Sequence, residues 1–98
     1  MGRLVLAHLP AEARRRYLYR AGEAVDTGAF EHIKEQGYLV SHGEVIEGIH
    51  AIGAPVFDPS GDVVAVVAIA STSDVEEHAA GVVGAANQIS HMLTTGRL

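Results

Sequence analysis

Two apolar, β-branched runs joined by a short polar turn constrain the fold of this chain more than any other feature. The first run ends at Phe57, the turn occupies residues 58–61 (Asp-Pro-Ser-Gly), and the second run covers residues 63–70. Pro59 presets the φ angle that the second turn position requires, and Gly61 accepts a positive φ at the fourth position. The pattern predicts a β-hairpin.

The second run of the hairpin is apolar at both alternating positions. A strand that is apolar on both sides is typical of a sheet interior with both faces covered. We therefore expect the strand at residues 63–70 to lie near the middle of its sheet.

Helical patterns occupy most of the remaining chain. They predict short helices at residues 3–9 and 11–20, and a third helix that ends at Gly37. A final helix is predicted after Ser73 and Glu76, whose spacing is that of a capping box. Its apolar positions recur at steps of three and four as one stripe, formed by Val75, Ala79, Val82, Ala86, Ile89 and Leu93.

Four arginines cluster in the second predicted helix: Arg14, Arg15, Arg16 and Arg20. Such a run is either a phosphate-binding patch or a solvated helix face, and we interpret it as a solvated face. The net charge of the whole chain, −5, is poorly suited to holding a phosphate backbone.

Length and composition set the broad class. The 98 residues suffice for one domain or a piece of one, and the absence of cysteine excludes disulfides, a thiol nucleophile and cysteine-ligated metal sites. No apolar run reaches the length of about 18 residues that a membrane helix needs. Residues 4–9 are too short for the core of a signal peptide. We therefore expect a cytoplasmic protein without membrane contacts.

The predicted elements come in the order of three helices, three strands and a helix. Strands joined by tight turns pair antiparallel, so the sequence predicts an α+β domain over residues 1–98, with a three-stranded antiparallel sheet flanked by helices. Three strands make a small sheet. Either a partner chain extends it, or the chain is the second half of a larger domain.

The motifs of several enzyme classes are missing: Gly-x-Ser-x-Gly, a phosphate-cradling glycine loop and His-Glu-x-x-His. We predict that the chain is not an enzyme and uses no cofactor. His42 and His50, with Glu44 between them, have the chemistry of metal ligands, but their spacing matches no known ligand signature. We interpret these histidines as loop-end residues and predict no metal site.

Small residues interrupt both strands of the hairpin: Ala51, Gly53, Ala54, Ala65, Ala68 and Ala70. They leave room above the sheet, which either a packed helix or a ligand fills. Ala68 and Ala70 share one face because side chains alternate along a strand. Whether Ala51 joins that face depends on the register, since Pro55 favours a bulge.

One further observation concerns the order of short motifs along the chain. They are Gly37-Tyr38, Glu44, Gly48, residues 51–56 (Ala-Ile-Gly-Ala-Pro-Val), the turn at 58–61 and residues 63–65 (Val-Val-Ala). In this order they resemble the second half of the effector-binding domain of IclR-family transcriptional regulators, and residues 2–10 are similar to the helix that opens that half. The resemblance implies a GAF-like, profilin-like half domain with a small-molecule pocket, which assembles into a dimer or tetramer.

Members of that family read DNA through an N-terminal winged helix-turn-helix. Nothing in the chain corresponds to it, so the resemblance implies that residues 1–98 make no direct contact with DNA. It also implies four pocket positions that carry polar side chains in relatives that bind small carboxylates. These positions fall at Ser41, Ala51, Ala68 and Ala70.

Three of the four positions are alanine here, and alanine offers no side-chain hydrogen bond. A buried polar group left unpaired costs about 1–3 kcal/mol. The resemblance, with this departure, therefore favours an apolar or aromatic effector held by backbone groups and by Ser41 or His50. Glu44 is a further candidate, because it lies where a loop meets the sheet.

We therefore predict the effector-binding and oligomerisation part of an IclR-type regulator. The alternative is a free-standing α/β dimerisation module without a ligand, in which a helix of the partner fills the space above the small residues. The two hypotheses differ in whether the face that holds Ala68 and Ala70 is open or covered.

Overall fold

The chain folds around a three-stranded antiparallel sheet. A computed structural model describes residues 2–22, 27–43 and 46–96. Helices α1 (Gly2–His8), α2 (Ala11–Ala21) and α3 (Thr27–Gln36) precede strands β1 (Leu39–His42), β2 (His50–Phe57) and β3 (Val63–Ser71), and helix α4 (Ala79–Thr95) follows a 3-10 turn at Glu76–His78. The α+β class and the order of the elements agree with the prediction.

The predicted hairpin joins β2 to β3. The Asp58 carboxylate accepts hydrogen bonds from the backbone N–H groups of Ser60 and Asp62, both at 3.0 Å, and the Gly61 N–H donates to the Asp58 carbonyl. The Ser60 hydroxyl, followed by the Asp62 N–H, holds the pKa of the Asp58 carboxyl below its usual range. The turn at residues 58–61 is thus confirmed.

β2 is the central strand, with β1 on one side and β3 on the other. The expectation that the strand at residues 63–70 lies near the middle of the sheet is wrong, because β3 pairs only with β2 in the part of the chain that the structure describes. Its two faces are not both covered either. Val64 and Ile69 are 55% and 40% exposed. The apolar pattern of β3 is that of a strand buried on both faces, and the described residues do not bury both faces.

One face of the sheet, here called the closed face, carries Ile52, Ala54 and Val56. These three side chains are at most 1% exposed and pack in one cluster against α4 and the turn before it. The apolar stripe predicted for the last helix supplies their partners in its first half, namely Val75, Val82 and Ala86. Its second half is uncovered: Ile89 and Leu93 are each 39% exposed.

A second cluster joins the three N-terminal helices, and its buried residues are Leu4, Ala7, Leu18, Phe30 and Ile33. Leu39 of β1 and Val66 of β3 pack against it, which places this helical layer over the other face of the sheet. Arg14 belongs to the same layer, since its Nη1 donates a hydrogen bond to the Ala7 carbonyl and its guanidinium lies 4.9 Å from the centre of the Phe30 ring.

The burial of Arg14 corrects the interpretation of the arginine run as a solvated face. Arg14 is only 6% exposed, whereas Arg15, Arg16 and Arg20 are exposed. Arg14 lies four residues before the buried Leu18, and residues at this spacing are neighbours on one side of a helix. Its side chain therefore lies on the buried side of α2, and only the remaining arginines form the exposed basic face.

The ends of the helices agree with the prediction in one case and differ in another. Gly37 ends α3 with a φ of 83°, a left-handed value that favours glycine, and its N–H donates to the Ile33 carbonyl. The predicted capping box of Ser73 and Glu76 does not form. Instead, the Glu76 N–H donates to Oδ1 of Asp74 at 3.0 Å.

Candidate functional site

The sheet register brings three of the predicted site residues into one row. Ser41 of β1 lies opposite Ala51 of β2, and Ala51 lies opposite Ala70 of β3. Ala68 pairs with Gly53 and shares the face of Ala70, because it is two residues away on the same strand. The bulge of the hairpin falls between Val56 and Phe57, beyond this row, so it does not shift the register here.

These four residues, Ser41, Ala51, Ala68 and Ala70, are called the alanine face below. The helical layer covers the adjoining part of the same sheet surface, where Leu39 and Val66 are packed. Beyond that cover, Ser41 and Ala51 are half-buried, while Ala68 and Ala70 are exposed. Within residues 2–22, 27–43 and 46–96, the alanine face is therefore open, with one side bounded by helices.

His50 lies on the opposite surface of the sheet from Ala51, because consecutive strand residues point to opposite faces. It pairs across the strands with His42, and the two Nδ1 atoms are 2.9 Å apart. Nε2 of His42 lies 3.4 Å from Oε1 of Glu76. The structure thus separates His50 from the other site residues that it describes. Glu44, the remaining predicted site residue, lies outside the described residues.

The histidine pair has a defined chemistry. A hydrogen bond between two Nδ1 atoms requires one of them to donate and the other to accept. Asp74 lies nearby: the Glu76 N–H lowers the pKa of its carboxyl, and His42 and His50 add to that effect. Across residues 2–22, 27–43 and 46–96, no group of three potential metal ligands comes together.

The alanine face has a limited chemical repertoire. Its methyl groups offer apolar contact, and Ser41 contributes the one side-chain hydroxyl of the set, which can donate or accept. Such a surface suits a flat apolar or aromatic body better than a small anion with several unpaired oxygens. Among these four residues there is no base that could activate the Ser41 hydroxyl as a nucleophile.

A groove of about 440 Å³ along the outer edge of β1 has no counterpart among the predicted features. Its polar lining comes from three separate elements, with Gln36 at the end of α3, His42 on β1 and Glu76 in the turn before α4. Gln36 also donates a hydrogen bond to the Tyr38 carbonyl at 3.2 Å. Residues so far apart in the chain form no local motif, so only the tertiary fold brings them together.

The length and apolar character of the helices decide whether any of them could cross a membrane. Among the described residues, none of the helices combines the length and the apolar character needed to cross a bilayer.

Comparison with known proteins gives a consistent family match. The family described as "Bacterial transcriptional regulator IclR C-terminal" matches residues 1–91. A comparison with curated protein sequences gives no significant match.

Solved structures with the same fold include HmgR of Pseudomonas aeruginosa, with 30% sequence identity and a TM-score of 0.75 over 95% of this chain. The chain spans 42% of the HmgR chain. The C-terminal domain of the Escherichia coli regulator KdgR is 24% identical, with a TM-score of 0.76, and the match covers 96% of this chain and 68% of that one.

A third structure is the inducer-binding domain of the transcription factor PobR from Acinetobacter, a double mutant in complex with 3-hydroxybenzoic acid. It is 17% identical, with a TM-score of 0.69, and the match covers 95% of this chain and 61% of that one. At this identity the likeness concerns the fold alone.

Proposed function

Because this chain belongs to the IclR family of bacterial transcriptional regulators, matching its C-terminal region over residues 1–91, we propose that it binds a small-molecule effector and mediates oligomerisation. The observation that carries the proposal is the open alanine face, on which Ser41, Ala51 and Ala70 form a row beside a helical cover. In this role the chain is cytoplasmic, is not an enzyme, and makes no direct contact with DNA.

The proposed effector is apolar or aromatic. Two of the three side chains in the central row are methyl groups, so a ligand with several polar groups would leave those groups unpaired on desolvation. Ser41 and backbone groups supply the few hydrogen bonds that such a ligand needs. The complex of the PobR inducer-binding domain with 3-hydroxybenzoic acid supports an aromatic acid as the first ligand to test.

The proposed assembly is a homodimer or a homotetramer. Two apolar regions support it: β3 exposes Val64 and Ile69, and α4 exposes Ile89 and Leu93. Exposed apolar patches of this kind mark interaction surfaces in soluble proteins. Effector occupancy would then bias two arrangements of the oligomer, which is how a ligand site communicates with a distant DNA-reading domain.

The test is a titration of the protein with 3-hydroxybenzoate and, separately, with glyoxylate, followed by calorimetry and by backbone amide shifts. We expect 3-hydroxybenzoate to bind and to shift the amides of Ser41, Ala51 and Ala70. Ala70→Phe should fill the face and reduce the affinity by about tenfold or more. Ala80→Phe, on an exposed position of α4, is the matched control.

Tight binding of glyoxylate alone would refute the aromatic effector. If neither acid binds and light scattering shows a dimer, the free-standing dimerisation module replaces the effector-binding proposal. In that case, Ala70→Phe should weaken the dimer, since the partner would occupy the alanine face.

A further inference from the structure

A second cavity, of about 240 Å³, lies at the opposite end of β2 from the predicted site. β1 ends its pairing with β2 at Gly53, so the rest of β2 runs on to Phe57 without β1 beside it. The end of α1, the end of α3 and the middle of α4 surround this stretch. Of the predicted site residues that the structure describes, none lines this cavity.

The floor of the cavity is apolar and ordered. Pro55 and Phe57 of β2 line it together with Val83 of α4, and Pro55 is buried. The His8 ring packs edge-on against Phe57, with 5.2 Å between the ring centres. An aromatic or aliphatic body can therefore rest on this floor without displacing polar groups.

One polar atom in the wall lacks a partner. Nε2 of His8 is buried and has no hydrogen bond to any described residue. Buried polar side-chain atoms are paired in the large majority of cases, and each exception calls for an explanation. Nε2 itself has no exposed surface, so a ligand in the cavity can supply the missing partner only after the His8 ring, which lines the space, turns toward it.

The charge at the cavity favours an anion. Lys34 and Asn87 line its rim and are both exposed, so an ammonium and an amide are available as hydrogen-bond donors. The described lining residues include no carboxylate. The volume is below the range of about 300–1,000 Å³ that is typical of ligand pockets, which limits the occupant to about one ring.

We propose that this cavity binds a small organic carboxylate with an apolar body of about one ring. The carboxylate pairs with Lys34 and, once the His8 ring turns toward the cavity, with Nε2 of His8. The apolar body lies on Phe57 and Pro55. The site is separate from the alanine face and does not depend on the function proposed for that face.

The pKa of His8 gives a second measure of carboxylate binding. Burial, with the Lys34 ammonium beside it, lowers the pKa of His8, so the free protein holds this ring neutral near pH 7. A bound carboxylate stabilises the protonated ring, and binding therefore raises the pKa of His8. His8 and Lys34 are the titratable groups among the described lining residues, and the affinity for a carboxylate should increase as the pH falls through the pKa of His8.

The test uses benzoate as the probe and benzamide as its neutral counterpart. Benzoate should bind, shift the amides around Phe57 and Asn87, and raise the pKa of His8 in a proton NMR titration. Lys34→Met should reduce the affinity for benzoate by about tenfold. Arg20→Met, which removes an exposed cation from α2, is the matched control and should leave the affinity unchanged.

Two results would overturn the proposal: equal affinities of Lys34→Met and Arg20→Met, or benzamide binding as tightly as benzoate. Ala70→Phe separates the two sites. If Ala70→Phe abolishes benzoate binding while Lys34→Met does not, the second site is refuted and the alanine face remains a binding site. If Lys34→Met alone reduces benzoate binding and 3-hydroxybenzoate never shifts Ala70, the second site stands and the effector proposal fails.

Discussion

The two faces of the sheet differ although the same strands build both. On the closed face, Ile52, Ala54 and Val56 are at most 1% exposed beneath α4. On the alanine face, Ser41 and Ala51 are half-buried and Ala70 is exposed. The closed face is a core along β2 and is partly exposed on β3 at Ile69. Among the described residues, the alanine face has only part of its cover.

Side chains alternate between the two faces along each strand, so residues that stabilise the fold and residues that could bind a ligand lie on opposite faces of the sheet. On the closed face, side chains of α4 and of the turn before it cover Ile52 and Val56 completely, so folding buries these positions. The alanine face keeps only methyl groups and one hydroxyl, so it leaves space and adds little to the free energy of folding. Substitutions on the two faces should therefore have unequal effects on stability.

The largest expected effect is the loss of a side chain from the centre of the closed face. Ile52→Ala should lower the free energy of unfolding by about 2–5 kcal/mol, because Ile52 is 0% exposed and the deletion leaves a cavity. Its cross-strand partner Ile69 is 40% exposed. Ile69→Ala is the matched control and should cost about 1 kcal/mol.

Urea unfolding followed by circular dichroism measures both variants. Equal losses of stability in Ile52→Ala and Ile69→Ala would show that β3 is as well covered as β2 in solution. The difference in burial between the central strand and β3 would then hold only for the isolated chain. The protein concentration should be varied, because cover by a second copy makes the loss concentration-dependent.

An intermediate effect is expected from enlarging one alanine on each face. Ala54→Leu should destabilise the protein by about 1–3 kcal/mol, since Ala54 is 1% exposed and the added atoms overpack the contact with α4. Ala70→Leu should change the stability by no more than about 0.5 kcal/mol. A thermal melt compares the two, and a larger loss for Ala70→Leu would mean that the alanine face is filled.

The smallest effect concerns the end of β2, where α4 also bonds to the backbone. The Phe57 N–H donates to Ser90 Oγ at 2.9 Å, and this hydroxyl donates to the Ala86 carbonyl. Ser90→Ala leaves the N–H without its partner and should cost about 1 kcal/mol in urea unfolding. Thr94→Ala is the control, because its hydroxyl bonds along the helix to the Ser90 carbonyl; a cost equal to that of Ser90→Ala would contradict the role of the bond to β2.

The sequence was sufficient where the signal was local. The turn at residues 58–61 contains its own hydrogen-bond partners, so Asp58 and Gly61 could be assigned without any knowledge of the tertiary structure. Gly37 could likewise be assigned as the end of a helix. The capping box was wrong because Asp74 competes for the same N–H group, and a spacing rule cannot rank two neighbouring acceptors.

Signals that depend on tertiary contacts were less reliable. Arg14 is buried because the Ala7 carbonyl and the Phe30 ring come from two other helices, which a charge count does not register. The apolar pattern of β3 predicts a strand that is buried on both faces, but it does not predict the position of the strand in the sheet. A sequence pattern cannot show whether the same chain or another chain buries the strand.

The candidate site was predictable in part. The family resemblance and the alternation of side chains along a strand predict Ala68 and Ala70 on one face. The alignment of Ser41, Ala51 and Ala70 in one row is a consequence of the strand register. The period of two also assigns His50 and Ala51 to opposite faces, yet both were predicted for one site. The second cavity was not predictable, because its lining comes from four elements distant in the chain.

The position of β3 at the edge of the sheet affects the solubility of the purified chain. β3 is a strand of nine apolar and small residues, Val63–Ser71, without a proline or a charge. Among the described residues no strand pairs with its outer edge, so that edge presents a row of backbone donors and acceptors. Such an edge templates the addition of further strands and leads to aggregation. Whatever covers β3 therefore also acts as a solubilising cap, and concentrated preparations of the chain without that cap should form intermolecular sheets.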